Sequence, residues 1–343
     1  MREKILQLQL GIQHFLVDAV CLACVLGLAG VKLTGTSRED YIYLFFLIAM
    51  YNSLAFCTQW LTGLCCDIVS KDKTVHAVYA FCLVLGTILC IIENYYAGIF
   101  FLGLGNSLFH VVGGRYVINH SHGKAGPLGA FVAPGALGVY IGTVWAEGLL
   151  LFCGAMVLNM IFIVLKYPEE NEIMKKNENP LCVSRIILIT AMVLLCIVCR
   201  AASGSVVLPG SKFPELFRWV PVLFVFAGKT LGGYIGDRMG IRLTGVFALL
   251  LGTFMFFGEW NITFLLGQFL MNLQMALTLW VLVKVLPELP GLAFGLAAAV
   301  LYPGSLIRLT WDPILVLILL SCGSIFCFWF ACYLLPEKDT RTE

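Results

Sequence analysis

Apolar runs long enough to cross a bilayer alternate with short polar breaks along the whole chain. A spanning helix needs about 20 apolar residues at a rise of about 1.5 Å each. Twelve such runs are present, near 6–31, 41–68, 74–92, 95–118, 127–147, 149–166, 184–207, 215–236, 241–258, 261–284, 290–309 and 313–335. The breaks after the fifth and eleventh runs are very short, so these boundaries are the least distinct. The longest polar stretch, 167–183, holds Glu169, Glu170, Lys175 and Lys176 between Pro168 and Pro180, at mid-chain. The pattern predicts an all-α membrane protein of twelve transmembrane helices. Two pseudo-symmetric six-helix bundles, 1–166 and 184–343, would be joined by a linker at 167–183.

Composition agrees. The chain is 60% hydrophobic and 12% charged, whereas a soluble domain carries about 25% charged residues. Its solvent must be largely lipid. The net charge of +2 is not gathered on a basic face, so no nucleic-acid partner is expected. The 14 cysteines are scattered. The two C-x-x-C spacings, Cys21/Cys24 and Cys196/Cys199, lie inside apolar runs, where cysteine acts as a small packing residue. The first run contains His14 and Asp18 and lacks a small-residue cleavage site, so it reads as a membrane helix rather than a signal peptide. No P-loop, His-Glu-x-x-His or Gly-x-Ser-x-Gly occurs, which argues against an ATP-driven pump or a hydrolase. No enzyme activity, cofactor or metal site is expected, and the chain is expected to be a monomer.

Lysine and arginine set the expected orientation, because cytoplasmic loops are enriched in them. With the N-terminus inside, the inside loops hold Arg2, Lys4, Lys71, Lys73, Lys124, Lys166, Lys175, Lys176, Arg185, Arg238, Arg242, Lys284, Lys338 and Arg341. The outside loops hold only Lys32, Arg38, Lys212, Arg218 and Arg308. Both termini and the linker are therefore expected in the cytoplasm, with an even number of spans.

One motif occurs twice. Leu61-Thr62-Gly63-Leu64-Cys65-Cys66-Asp67 closes the second run, and Leu231-Gly232-Gly233-Tyr234-Ile235-Gly236-Asp237-Arg238-Met239-Gly240-Ile241-Arg242 closes the eighth. Gly63 aligns with Gly233 and Asp67 with Asp237. Gly63, Gly233 and Gly236 would admit a neighbouring helix closely. Asp67 and Asp237 suit a helix N-terminus, and Arg238 and Arg242 suit lipid headgroups. Such a charged clasp can hold one conformation and release in another.

This repeat resembles the signature loop of the major facilitator superfamily, found between its second and third helices and again between its eighth and ninth. The second copy is close to the family form. In the first, Ser70-Lys71-Asp72-Lys73 replaces the usual Arg-Gly-Arg run. Gly103-Leu104-Gly105-Asn106-Ser107-Leu108-Phe109-His110, with His14 and Asp18 in a His-x-x-x-Asp spacing, resembles the fosmidomycin-resistance-like branch; Val111 stands where that branch usually has proline. Pro127, Ala130, Phe131, Pro134 and Gly135 in the fifth run are loosely echoed by Pro290, Ala293, Phe294, Pro303 and Gly304 in the eleventh. The resemblance implies two bundles that rock about a central site to move a small solute across a plasma membrane, of the bacterial inner-membrane kind.

Charges at bilayer depth are costly, from about 2.5 kcal/mol upward, and usually face a cavity. Asp18 and Lys229 fall near the middle of their helices and Arg200 lies toward the outer half. The expected cavity has Lys229 and Arg200 facing Asp18, His14 and His110, with Asn106 and Arg115 on the fourth helix. Gln268 and Asn272 share a face of the tenth helix and would either line that cavity or bind a neighbouring helix. Asp18 and His110 are the candidate proton carriers. Asp18 could instead form a permanent ion pair with Lys229 or Arg115. Two cations against one titratable acid suit an anionic or zwitterionic substrate, and the expected cargo is an organic anion or an amphiphilic drug-like compound. An uncoupled facilitator and a non-transporting sensor are the alternatives.

Overall fold

The computed structural model describes residues 2–30, 37–168, 181–206, 208 and 211–336. Most of the expected linker, with Lys175 and Lys176, lies outside the described residues, as do Lys32, Lys338 and Arg341. The described chain forms twelve apolar helices: α1 (Arg2–Gly30), α2 (Arg38–Val69), α3 (Asp72–Ile91), α4 (Tyr95–Asn119), α5 (Gly126–Val144), α6 (Ala146–Lys166), α7 (Val183–Ser203), α8 (Glu215–Met239), α9 (Ile241–Phe256), α10 (Asn261–Val285), α11 (Pro290–Leu306) and α12 (Pro313–Leu334). Ten are long and apolar enough to cross a membrane, and α9 and α11 are shorter.

Local chemistry sets the ends. The Ser37 side chain accepts a hydrogen bond from the Asp40 amide at the start of α2, and Asp312 does the same for Ile314 and Leu315 at the start of α12. Each fills an otherwise orphan donor of the first turn. The close junction after the fifth run is resolved at Trp145 (φ −133°, ψ 63°), which breaks the helix before a short 3-10 turn at Ala146–Gly148 opens α6. Helix α11 breaks after Ala299. Pro303 has no N–H to give to the Ala299 carbonyl four residues earlier. Helices α1 and α2 contain π-wound segments, Ala23–Gly30 and Ser53–Cys57.

The twelve helices make two sets of six. In the first set α1 packs on α5 and α3 on α4; in the second α7 packs on α12 and α9 on α10. The sets meet mainly through two pairs, α2 with α11 and α5 with α8. Exchanging the bundles exchanges these pairs. The outer surface is apolar: Ile68, Leu150, Leu158, Leu165, Phe254 and Trp260 are all exposed, as expected where lipid is the solvent. The polar core residues Gln13, His14, Asp18, His76, Asn106, His110 and Arg115 are buried instead.

Candidate functional site

Both motif copies sit at the same end of the bundles, and each is a contact between them. The Asp67 carboxylate accepts from the amides of Gly291 (3.0 Å) and Leu292 (2.8 Å) at the start of α11. The Asp237 carboxylate accepts from those of Ala125 (2.8 Å) and Gly126 (2.8 Å) at the start of α5. A carboxylate here meets unpaired donors and the positive end of a helix dipole. The glycines permit the approach. A Cβ on Gly63 would lie 2.2 Å from the Gly291 carbonyl oxygen, and one on Gly233 2.2 Å from that of Ala125. Gly236 serves its own bundle, against Leu277. Arg238 and Arg242 are exposed.

The clasps also correct a register. They relate Ala125 to Gly291 and Gly126 to Leu292, which shifts the looser proline-and-phenylalanine alignment of α5 and α11 by three residues. Gly129 and Gly295 obey the same shift, facing the carbonyls of Lys229 and Gln59.

Each clasp helix ends three residues beyond its aspartate in a left-handed residue, Ser70 (φ 51°) and Gly240 (φ 93°). Glycine takes this conformation freely and serine does not. Ser70 is held by side-chain bonds: its hydroxyl donates to the Asp67 carbonyl (3.0 Å) and accepts from Arg115 (3.0 Å). This accounts physically for the divergent first copy.

Arg115, expected in the cavity, lies instead at this clasp. Its guanidinium pairs with Asp67 (3.1 Å) and Asp72, and Tyr167 donates to the far oxygen of Asp72 (2.8 Å). Five residues beyond His110, it points about 140° around the helix from it at 100° per residue. Asp72 and Tyr167 escaped sequence reading because they stand at a helix end and a polar break.

Deeper in the first bundle, His14 and Asp18 of α1 meet Asn106 and His110 of α4, all buried. The two imidazole Nε2 atoms are 2.8 Å apart. His14 Nε2 is 3.4 Å from one Asp18 oxygen and His110 Nε2 is 3.8 Å from the other. Asn106 donates its amide to Asp18 (3.0 Å). The remaining ring nitrogens meet backbone carbonyls, His14 Nδ1 at Phe131 of α5 (2.8 Å) and His110 Nδ1 at Asn106 (2.9 Å). Gly135 of α5 closes the cluster, and a Cβ there would lie 2.4 Å from His14 Nε2. Asp18 is thus bonded within its own bundle, not to Lys229 or Arg115. One nitrogen of each histidine and one Asp18 oxygen all lie within 4.8 Å of one another, close enough to surround a small cation.

A narrow cleft of about 40 Å³ is lined by Val132 of α5 and, from the second bundle, by Ile197, Arg200, Met275, Phe294 and Leu301, among others. Arg200 reaches Met275 Sδ at 3.6 Å, and its buried Nε has no hydrogen-bond partner among the described residues. Lys229 is half-buried on α8 and is not part of this lining. Asn272 donates to the Gln268 carbonyl (2.8 Å) within α10, so neither of the two uses that bond to hold a neighbouring helix.

No protein-family model matches the chain, and no curated protein matches it in sequence. Solved structures do match in fold. A major facilitator superfamily transporter, FucP, in the outward conformation superimposes with a TM-score of 0.69 at 12% identity, covering 96% of this chain and 99% of that one. A single-residue variant of the E. coli fucose:proton symporter FucP gives 0.66 at 12% identity, covering 96% and 98%. A bacterial homologue of the iron transporter ferroportin, outward-facing, gives 0.62 at 13% identity, covering 96% and 98%. The chain is a multi-pass membrane protein with the major facilitator fold.

Proposed function

We propose that this protein is a secondary transporter that moves a small organic anion or anionic amphiphile by alternating access, coupled to protons. The observation that carries the reading is the pair of clasps between bundles at one end, with Arg200 in an apolar cleft deeper inside, one of its nitrogens without a partner among the described residues. Closing one end by bonds that a rocking motion can break is what alternating access requires. A cation beside apolar walls suits a solute with one anionic group and an apolar body. Coupling is assigned to Asp18 and His110, and one fold neighbour is itself described as a proton symporter. The Lys/Arg bias puts the clasped end and both termini in the cytoplasm, in a plasma membrane of the bacterial inner-membrane kind. The unit of function is the monomer, and the kinship is with the fosmidomycin-resistance-like branch.

The test is flux. Small organic anions are first ranked by thermal stabilisation of the purified protein, and the best binder is followed in proteoliposomes with and without a pH gradient. Concentrative uptake or efflux driven by the gradient and lost in Asp18→Asn is the expected result. Unchanged concentrative flux in Asp18→Asn removes the coupling assignment. Gradient-independent flux indicates a facilitator, and no tracer counterflow at all indicates a sensor.

A further inference from the structure

The hydrogen bonds around His14 and His110 leave one proton unaccounted for. A backbone carbonyl can only accept, so His14 Nδ1 carries a hydrogen for the Phe131 carbonyl, 2.8 Å away. His110 Nδ1 likewise carries one for the Asn106 carbonyl, 2.9 Å away. Neutral imidazole has a single N–H. Two neutral rings would therefore direct two bare lone pairs at each other across 2.8 Å, which is repulsive. One additional proton between the Nε2 atoms turns that contact into an N–H···N hydrogen bond.

Charge gives the same answer. The cluster is buried in the bundle, where an uncompensated charge is expensive. An imidazolium pair with one shared proton balances the Asp18 carboxylate, and the group is neutral overall. A divalent metal ion in the same place would leave a net positive charge, and its ligands would have to move apart from 2.8 Å.

We propose that a single proton shared between His14 Nε2 and His110 Nε2 is the resting place of the coupling ion, and that helix α5 ties its release to opening of the Asp237 clasp. Asp18 then takes part in coupling as the counter-charge that holds this proton on the pair, not as its carrier. Helix α5 is clasped by Asp237 at its N-terminus, seats Gly129 on the Lys229 carbonyl, supplies the Phe131 carbonyl and closes the cluster with Gly135. The Phe131 ring also faces Phe294 of α11 at 5.8 Å. Once free of α8, α5 shifts along α1 and draws the Phe131 carbonyl away from His14 Nδ1. The ring is then free to change tautomer and give up the shared proton.

The groups facing the pair are few. Asp18 comes from α1 and Asn106 from α4, while α5 presents the Phe131 carbonyl and Gly135. Tyr79 of α3 is engaged by Gln13 (3.3 Å). From the other bundle, the Lys229 charge acts on Asp18 and His110.

This inference rests on the proton-coupled reading, but its test needs no substrate. The full chain, labelled with 15N-histidine, is placed in lipid bilayers and studied by solid-state NMR near neutral pH, with His14→Gln and His110→Gln used to assign the five histidines. The expected spectrum has both Nδ1 sites protonated and one proton across the Nε2 pair, with the imidazolium signal of His14 lost in His110→Gln. In Asp237→Ala, with the clasp shown open by cross-linking, the shared-proton signal should fall at least several-fold. A bare Nδ1 on either ring in the parent protein overturns the proposal. So does a stoichiometric transition metal in the purified protein, or CoCl2-induced visible absorption bands that vanish in His14→Gln. An undiminished signal in Asp237→Ala overturns the role of α5. A shared proton without gradient-driven flux would sink only the coupling, and gradient-driven flux without a shared proton would sink only this inference.

Discussion

Asp67 and Asp237 occupy equivalent places in the two bundles, and each binds two backbone amides of a helix in the other. Asp67 also pairs with buried Arg115, which Asp72 and Ser70 hold as well. Asp67→Ala is therefore expected to destabilise the protein by about 3 kcal/mol or more, the cost of leaving part of a buried ion pair uncompensated. Thermal melting of the purified variant measures it, and an unchanged melting temperature would contradict the expectation.

Glycine substitutions should separate closure from folding. Gly63→Ala and Gly233→Ala each place a Cβ 2.2 Å from a backbone carbonyl oxygen of the opposite bundle, a distance that no side-chain motion relieves. Both should disfavour the clasped state, reducing flux at least tenfold while the bundles still fold. Gly154→Ala, with nothing within 4 Å, is the control. Cysteine cross-linking across α5 and α8 reports closure.

Arg200 should decide affinity for the anion. Removing a cation that binds through charge-assisted hydrogen bonds costs about 1.5–3 kcal/mol, so Arg200→Ala should weaken binding roughly 10- to 100-fold. Arg200→Lys should restore only part, since a point charge replaces a planar fork. Binding titrations of the best-stabilising anion give the numbers, and equal affinity in Arg200→Ala would place the substrate elsewhere.

Cys182 offers a test of orientation. It is exposed before the start of α7, and the Ser184 hydroxyl, followed by the Arg185 amide, holds its thiol below the ordinary range. The reactive thiolate therefore forms at lower pH than for a free cysteine, so labelling rises with pH and levels off earlier. With the other exposed cysteines, Cys65 and Cys322, replaced by serine, a membrane-impermeant maleimide should modify it from the cytoplasmic face, and not when Cys182→Ser is added. Modification from the outside alone would reverse the proposed topology.

Much of this molecule is legible in one dimension, because lipid makes the rule simple. Every backbone polar group must be paired within its own segment, so each apolar run of sufficient length becomes a helix. The twelve runs, the bundle count and the two glycine-aspartate helix ends follow from that rule together with the repeat. His14, Asp18 and His110 stand out for the same reason, as polar groups where polarity is expensive. The depth of a residue along its helix is also readable from the rise per residue. Its direction around the bundle is not, since that depends on how the helices rotate and pack. Packing sent Arg115 to the clasp, left Asn272 bonded to its own helix and joined His14 to His110. It also brought in Phe131 and Gly135, which matter through a carbonyl and a missing side chain and carry no chemical mark in the sequence.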